Sequence, residues 1–241
     1  LYYNDYEANE TTLTKTFDLR YRDEDVRPQI DAIWSKAYNT IASANSVLDN
    51  ISGHDFAILP RIRGEALTVR AFLHFDLLRL FAPNIERGDE QAIPYVEHFS
   101  ISPVERSTVR EVYERIVADL TEAYGLLRDA QPASGRTPEE LYVSQYAAAA
   151  LLARVCNWGG DHETAERYAL EALKGPFAFI REEQIKNLFL GYTARTECIW
   201  GLHAPDMYLD VRSRLYPTRL TDELDMVRDN YQTIFRVSSF T

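Results

Sequence analysis

Fifteen tyrosines, eleven phenylalanines and three tryptophans in 241 residues make aromatic rings the main chemical resource of this chain. A Tyr or Trp ring packs on the flat C–H face of a sugar while Arg, Asp and Asn at the rim take its hydroxyls, and rigid rings supply that contact at low entropic cost. The rings placed to do so lie outside the helical runs: Tyr2, Tyr3, Tyr6, Tyr21, Tyr95 and Phe99, with Arg20 and Arg22 flanking Tyr21. These eight are the candidate ligand-binding residues. Taken singly, each also reads as an ordinary surface or packing residue.

Catalytic spacings are missing from the sequence. His54, His74, His98, His162 and His203 are dispersed, and His162-Glu163 lacks the second His four residues on that a zinc-protease helix needs. There is no Gly-x-Ser-x-Gly elbow, phosphate-binding glycine loop or dinucleotide fingerprint. Cys156, in an alanine-rich run, and Cys198, in a short apolar one, have no neighbouring His to act as base and read as small buried side chains. Asp222 with Asp225 is a pair expected by chance among 37 acids. Asp23-Glu24-Asp25 lacks the glycine and distant Glu of a calcium loop and reads as a solvated turn. No catalytic residue, metal ligand or cofactor is therefore assigned. A net charge of -11 without a basic run argues against nucleic acid, and no apolar stretch approaches the ~20 residues of a spanning helix.

Helices must position these residues. Arg61 to Phe81 reads as the central one: Ile62, Ala66, Val69, Leu73, Leu77 and Leu80 form one apolar stripe, and Leu67, Phe72, Phe75, Leu78 and Phe81 a second. A helix this apolar is covered on two sides, and Glu65, Arg70, His74, Asp76 and Arg79 between the stripes are expected to be solvated or paired internally. Pro60 and Ala82-Pro83 mark its ends. Before it, Ile30 to Leu48 predicts a helix ended by Ser52-Gly53, whose Asn45 is placed to hydrogen-bond a neighbouring loop. After it, residues 82 to 106 form a long loop carrying Tyr95, His98 and Phe99, a length often associated with function. Thr108 with Glu111 is a capping box opening the next helix. Thr137-Pro138-Glu139-Glu140 predicts another cap, before a helix over Leu141 to Trp158 that Gly159-Gly160 terminates. His162 to Lys174 completes the helical part. Ala153, Ala165 and Ala172 fall at the small-residue positions of a tetratricopeptide unit of ~34 residues, degenerately matched. Glu197 to Leu202 predicts a short extended piece. The fold class is all-α: irregular tetratricopeptide-like hairpins with a loop-rich ligand-facing layer.

The residues in this order also carry a family resemblance. Gly64-Glu65-Ala66, Arg70-Ala71-Phe72 and Phe75 to Phe81 resemble the signature helix of the SusD/RagB family of bacterial surface nutrient-binding lipoproteins. Trp34, Tyr38, Ile41 and Ala44-Asn45 are similar to that family's first repeat helix, and Ile93-Pro94-Tyr95 to its proline-containing loop. Arg106 to Val109 with Val112-Tyr113, Ile116 and Asp119-Leu120 resembles its next capped helix. Ala147 to Val155 and Asp161 to Ala172 are similar to its later repeat helices, and Thr196 to Trp200 to the strand after them.

The resemblance implies a non-enzymatic cell-surface lipoprotein of the outer membrane, held there by a lipid anchor only. It would capture glycans, or in some members peptides, and pass them to a SusC-like TonB-dependent outer-membrane barrel, with the repeats facing the barrel. Family members are longer, so residues 1–241 are expected to form a single SusD-like helical-repeat domain lacking part of the C-terminal half. Some members place binding residues ahead of the first repeat helix, which favours residues 1 to 30 here. Two alternatives stay open: a helical-repeat scaffold binding a protein or peptide, and a hydrolase, which would need clustered acids in a cleft.

Overall fold

Among the described residues, five α-helices follow one another in antiparallel succession: α1 (Arg27–Ile51), α2 (Leu59–Phe81), α3 (Val109–Asp129), α4 (Gln145–Gly159) and α5 (His162–Ala172). These come from a computed structural model, which describes residues 15, 16, 18–130, 142–181 and 197–202. The chain divides into two packing units, Leu1–Gly201 and Leu202–Thr241, and of the second only Leu202 is among the described residues. The fold class is all-α, with no strand among the described residues.

Consecutive helices pack on one another, α1 on α2, α2 on α3, α3 on α4 and α4 on α5, as in a helical-repeat layer. Central α2 is covered by α1 and α3, as its double stripe requires. Ala71, Phe75, Leu77 and Leu78 are 1% exposed or less and meet Ile41 of α1, Val112, Ile116 and Leu120 of α3, and Leu152 and Val155 of α4 in one core. Burying each large apolar side chain contributes about 1.5–3 kcal/mol. Leu80 departs from the stripe and stands 62% exposed.

Local signals explain most of the helix ends. Thr108 accepts from Glu111 N–H while the Glu111 carboxylate accepts from Thr108 N–H at 2.8 Å, closing the capping box. Gly160 takes φ +84°, the left-handed turn that ends α4, and Asp161 caps α5 through Thr164 N–H. Ala165 and Ala172 are buried where α5 meets α4, as small repeat positions should be.

Three boundaries differ from the sequence reading. α1 starts at Arg27, because Pro28 occupies its first turn. α4 starts at Gln145, capped by Ser144, whose hydroxyl accepts from Ala147 N–H at 3.2 Å; residues 137–140 lie outside the described part. Glu197 to Leu202 is turn and bend, not extended. It has no partner strand among the described residues, and Ile199 and Trp200 pack instead on the cluster of Leu127, Val143 and Ala147.

The long loop between α2 and α3 is tied at its neck. An isolated antiparallel bridge joins Gln91 to Thr108; Ala92 N–H donates to Ser107 O at 2.8 Å, and Ser107 N–H to Ile93 O at 3.1 Å. The bridge closes the loop at its base, and Ala92, Ile93 and Tyr95 just beyond it pack into the core.

Candidate functional site

Inside that loop, a buried polar network bonds the Pro94–Glu97 backbone to α1 and α2, and Asp119 of α3 completes it through Arg70 and the Tyr95 hydroxyl. Arg70 of α2 donates through Nε and Nη2 to the two carboxylate oxygens of Asp119 on α3, at 2.6 and 2.7 Å. Its Nη1 reaches Asn45 Oδ1 of α1 at 3.1 Å and Glu97 O of the loop at 2.9 Å. Asn45 Nδ2 donates to Val96 O at 2.8 Å, and the Tyr38 hydroxyl to Pro94 O at 2.8 Å. Burial works against the Arg70 charge, but the bonds and charge of Asp119 outweigh it and hold the guanidinium pKa above its ordinary value. The bidentate geometry is the one that makes such a pair strong.

His74 extends the network. Val96 N–H donates to its Nε2 at 3.1 Å, so Nδ1 carries the proton and donates to Arg70 O at 2.9 Å. Burial lowers the His74 pKa from 6.5 to about 3, so the ring is neutral.

Tyr95 belongs to this interior and not to the surface. It is 2% exposed, its ring stacks on His74 at 4.0 Å between centroids, and its hydroxyl donates to Asp119 Oδ2 at 2.5 Å. Burial and then the Asp119 charge push that hydroxyl's pKa well above its ordinary value, so it remains a donor. A ring committed on its face and at its tip offers nothing to a sugar. Loop position suggested exposure; the partners Arg70, His74 and Asp119, distant in sequence, decide otherwise.

The remaining described candidates stand at opposite ends of α1. Ahead of its N-terminus, Leu19 takes φ 59°, a left-handed turn uncommon for a bulky residue, and just past it Tyr21 is 52% exposed. Arg20 Nη2 pairs with Asp23 Oδ2 at 2.8 Å. Arg22 lines an open concavity of about 550 Å³ with Lys15, Asp23, Glu24 and Asp25. Lys15 Nζ holds Asp25 at 3.0 and 2.9 Å. Phe99, 58% exposed, sits by the other end, where Asp49 of α1 accepts its N–H at 2.8 Å. Tyr2, Tyr3 and Tyr6 lie outside the described residues. Arg27 and Asp49 are 22 residues apart on one helix, about 33 Å at ~1.5 Å per residue. Tyr21 and Phe99 therefore do not share one small-molecule site.

Residues 2–156 match the SusD-like_3 family, described as starch-binding and associating with the outer membrane. The chain belongs to the SusD-like family. The SusD-like protein P2 of Formosa agariphila is 31% identical over 170 residues, covering 66% of this chain and 30% of that protein. A SusD superfamily protein from Bacteroides thetaiotaomicron shares the fold with a TM-score of 0.63 and 27% identity, over 72% of this chain and 39% of that one. A SusD-like carbohydrate-binding protein from Bacteroides vulgatus gives 0.60 and 26%, over 70% and 36%. The chain thus spans well under half the length of these relatives.

Within this SusD-like chain, many of the residues that resemble the family signature belong to the buried network and core, among them Arg70, Ala71, Phe75, Leu77 and Leu78. Arg70, Asn45 and Asp119 all come from segments that carry the resemblance, and their work is to hold the loop. Among the described residues, no cluster of His, Cys, Asp and Glu could hold a metal ion, and no helix is long and apolar enough to cross a membrane. The structure also reveals two groups that sequence reading passed over. Asp49 anchors the Phe99 loop, and His54 stacks on the 64% exposed Phe56 at 6.2 Å in the α1–α2 turn. The alternation of aromatic and charged residues from His54 to Phe56 was the available signal.

Proposed function

We propose that this chain is the helical part of a carbohydrate-binding protein of the outer membrane, which captures a glycan and delivers it to a SusC-like TonB-dependent barrel without cleaving it. Residues 1–241 act as a single SusD-like helical-repeat domain, and a lipid anchor, not a spanning helix, keeps the protein at the cell surface. The observation carrying this reading is the exposed Tyr21 beside Arg22 and its charged concavity, in a chain whose residues 2–156 match a family described as starch-binding. The ring offers a stacking face, and Lys15, Arg22 and Asp23 offer donors and acceptors for hydroxyls. Tyr2, Tyr3, Tyr6 and Arg20 are proposed to contribute from the same part of the chain.

Isothermal titration against soluble starch, laminarin and neutral oligosaccharides tests the reading. Saturable binding without release of reducing sugar is expected. Tyr21→Ala should weaken it about tenfold, corresponding to ~1.4 kcal/mol for one stacking ring. Binding unchanged by Tyr21→Ala and Arg22→Ala would remove this end as the site.

A second reading, a scaffold for a protein or peptide, is favoured by one feature. Between α1 and α2 runs a groove of about 270 Å³ bordered by Ile33, Ala37, Leu73 and Leu80, with Lys36 and Asp76 at its rim. No glycan binding, together with binding of an amphipathic peptide lost on Leu80→Asp, would favour it.

A further inference from the structure

Asp49 holds the tip of the α2–α3 loop through both carboxylate oxygens. Oδ2 accepts from Phe99 N–H at 2.8 Å, and Oδ1 lies 2.8 Å from His98 Nδ1. The His98 bond first and the Phe99 N–H bond second keep the Asp49 pKa below its ordinary value, so the anchor is ionised. Together with the Gln91–Thr108 neck and the Arg70 network, they fix the backbone on which Phe99 is displayed. A lone exposed ring is unremarkable, but one on a backbone already fixed by tertiary bonds can stack on a ligand with little further ordering cost. The exposed His98 and the second carboxylate lone pairs of Asp49 flank it as hydroxyl partners. At the same end of α1, the turn to α2 displays Phe56 stacked on His54.

The opposite end of α1, about 33 Å away, bears Tyr21 and Arg22. Between the two ends, α1 exposes Lys36, Asn39, Thr40, Ser43 and Asn50, of which Thr40, Ser43 and Asn50 donate to carbonyls four residues back and keep acceptor oxygens free. No single short sugar reaches both ends, whereas a long chain does.

We propose that the Phe99–Asp49 end is a second polysaccharide contact, so that the ligand is a polymer engaging both ends of α1 and not an oligosaccharide held at one. This rests on the carbohydrate-binding reading above. Two modest contacts on one chain reinforce each other, because the second forms at the high effective concentration set by the first.

The test uses the 241-residue chain and two probes from each glucan, soluble amylose against maltotriose and laminarin against laminaritriose. The polymer should bind at least tenfold more tightly than its trisaccharide. Phe99→Ala and Asp49→Ala should each remove most of that advantage, and Tyr21→Ala should weaken both probes. Ile101→Ala serves as a control, removing a 96% exposed apolar side chain from the same loop without touching a ring, and should change nothing. If Phe99→Ala leaves the polymer-to-trisaccharide ratio intact while Tyr21→Ala lowers affinity, the second contact is refuted and the first reading stands. Equal losses for Ile101→Ala and Phe99→Ala would refute ring stacking. Absence of binding by the unaltered protein to every glucan would overturn both readings together.

Discussion

Arg70, Asp119 and His74 show how much of this fold hangs on a few buried polar atoms. Removing one member of the Arg70–Asp119 pair leaves the other charge buried, a loss of about 3–5 kcal/mol. Asp119→Ala and Arg70→Ala should each lower the unfolding free energy read from urea melts by that much, and Arg70→Met with Asp119→Leu should recover part of it. His74 adds a pH dependence. Its folded pKa, about 3, lies below the ordinary 6.5, so the unfolded chain binds the proton more readily. The stability contributed by neutral His74 is present above pH ~6.5 and is lost as pH falls toward 3, by up to ~1.4 kcal/mol per unit. Carboxylates with lowered pKa, such as Asp49 and Asp161, act in the same direction. Urea midpoints measured from pH 7 to pH 4 should therefore slope less in His74→Gln than in the unaltered protein.

The pairing of α2 with α3 is limited by close approach at Gly64. A Cβ on Gly64 of α2 would stand 2.7 Å from Leu127 Cγ and 3.3 Å from the Ala123 carbonyl of α3. A branch-point carbon and a backbone oxygen give way poorly, so Gly64→Ala should cost about 1–3 kcal/mol despite its better helix propensity. Gly125 of α3 has nothing within 4 Å of the same position. Gly125→Ala should then gain up to ~1 kcal/mol. Thermal melts of the two variants should shift in opposite directions, and a common direction would show that α2 and α3 do not approach as described.

Net charge governs what the whole molecule attracts. With -11 overall, a field opposing anionic polymers surrounds it, screened over about 10 Å at 0.1 M salt. Sulfated or uronate-rich glycans should bind more weakly than neutral glucans, and added salt should narrow the gap. Salt-independent preference for an anionic glycan would point to a dedicated basic pocket instead.

Periodicity, caps and prolines located the helices, the start of α4 at Gln145 excepted, because these signals are local: the Thr108–Glu111 box, the glycine after α4 and the double stripe of α2 act within a few residues of where they are read. The expectation that Asn45 bonds a loop was also legible, since a polar residue on an apolar face needs a partner. Tyr95 was not, because its burial depends on residues 21 and 24 positions away, His74 and Asp119, meeting through the packing of α2 on α3. The same is true of Asp49 and Phe99, 50 residues apart and joined only when the loop folds back along α1. Residue types marked which side chains could meet a sugar; tertiary packing decided which of them face solvent, and it set the length of α1 between Tyr21 and Phe99 because the loop folds back along that helix.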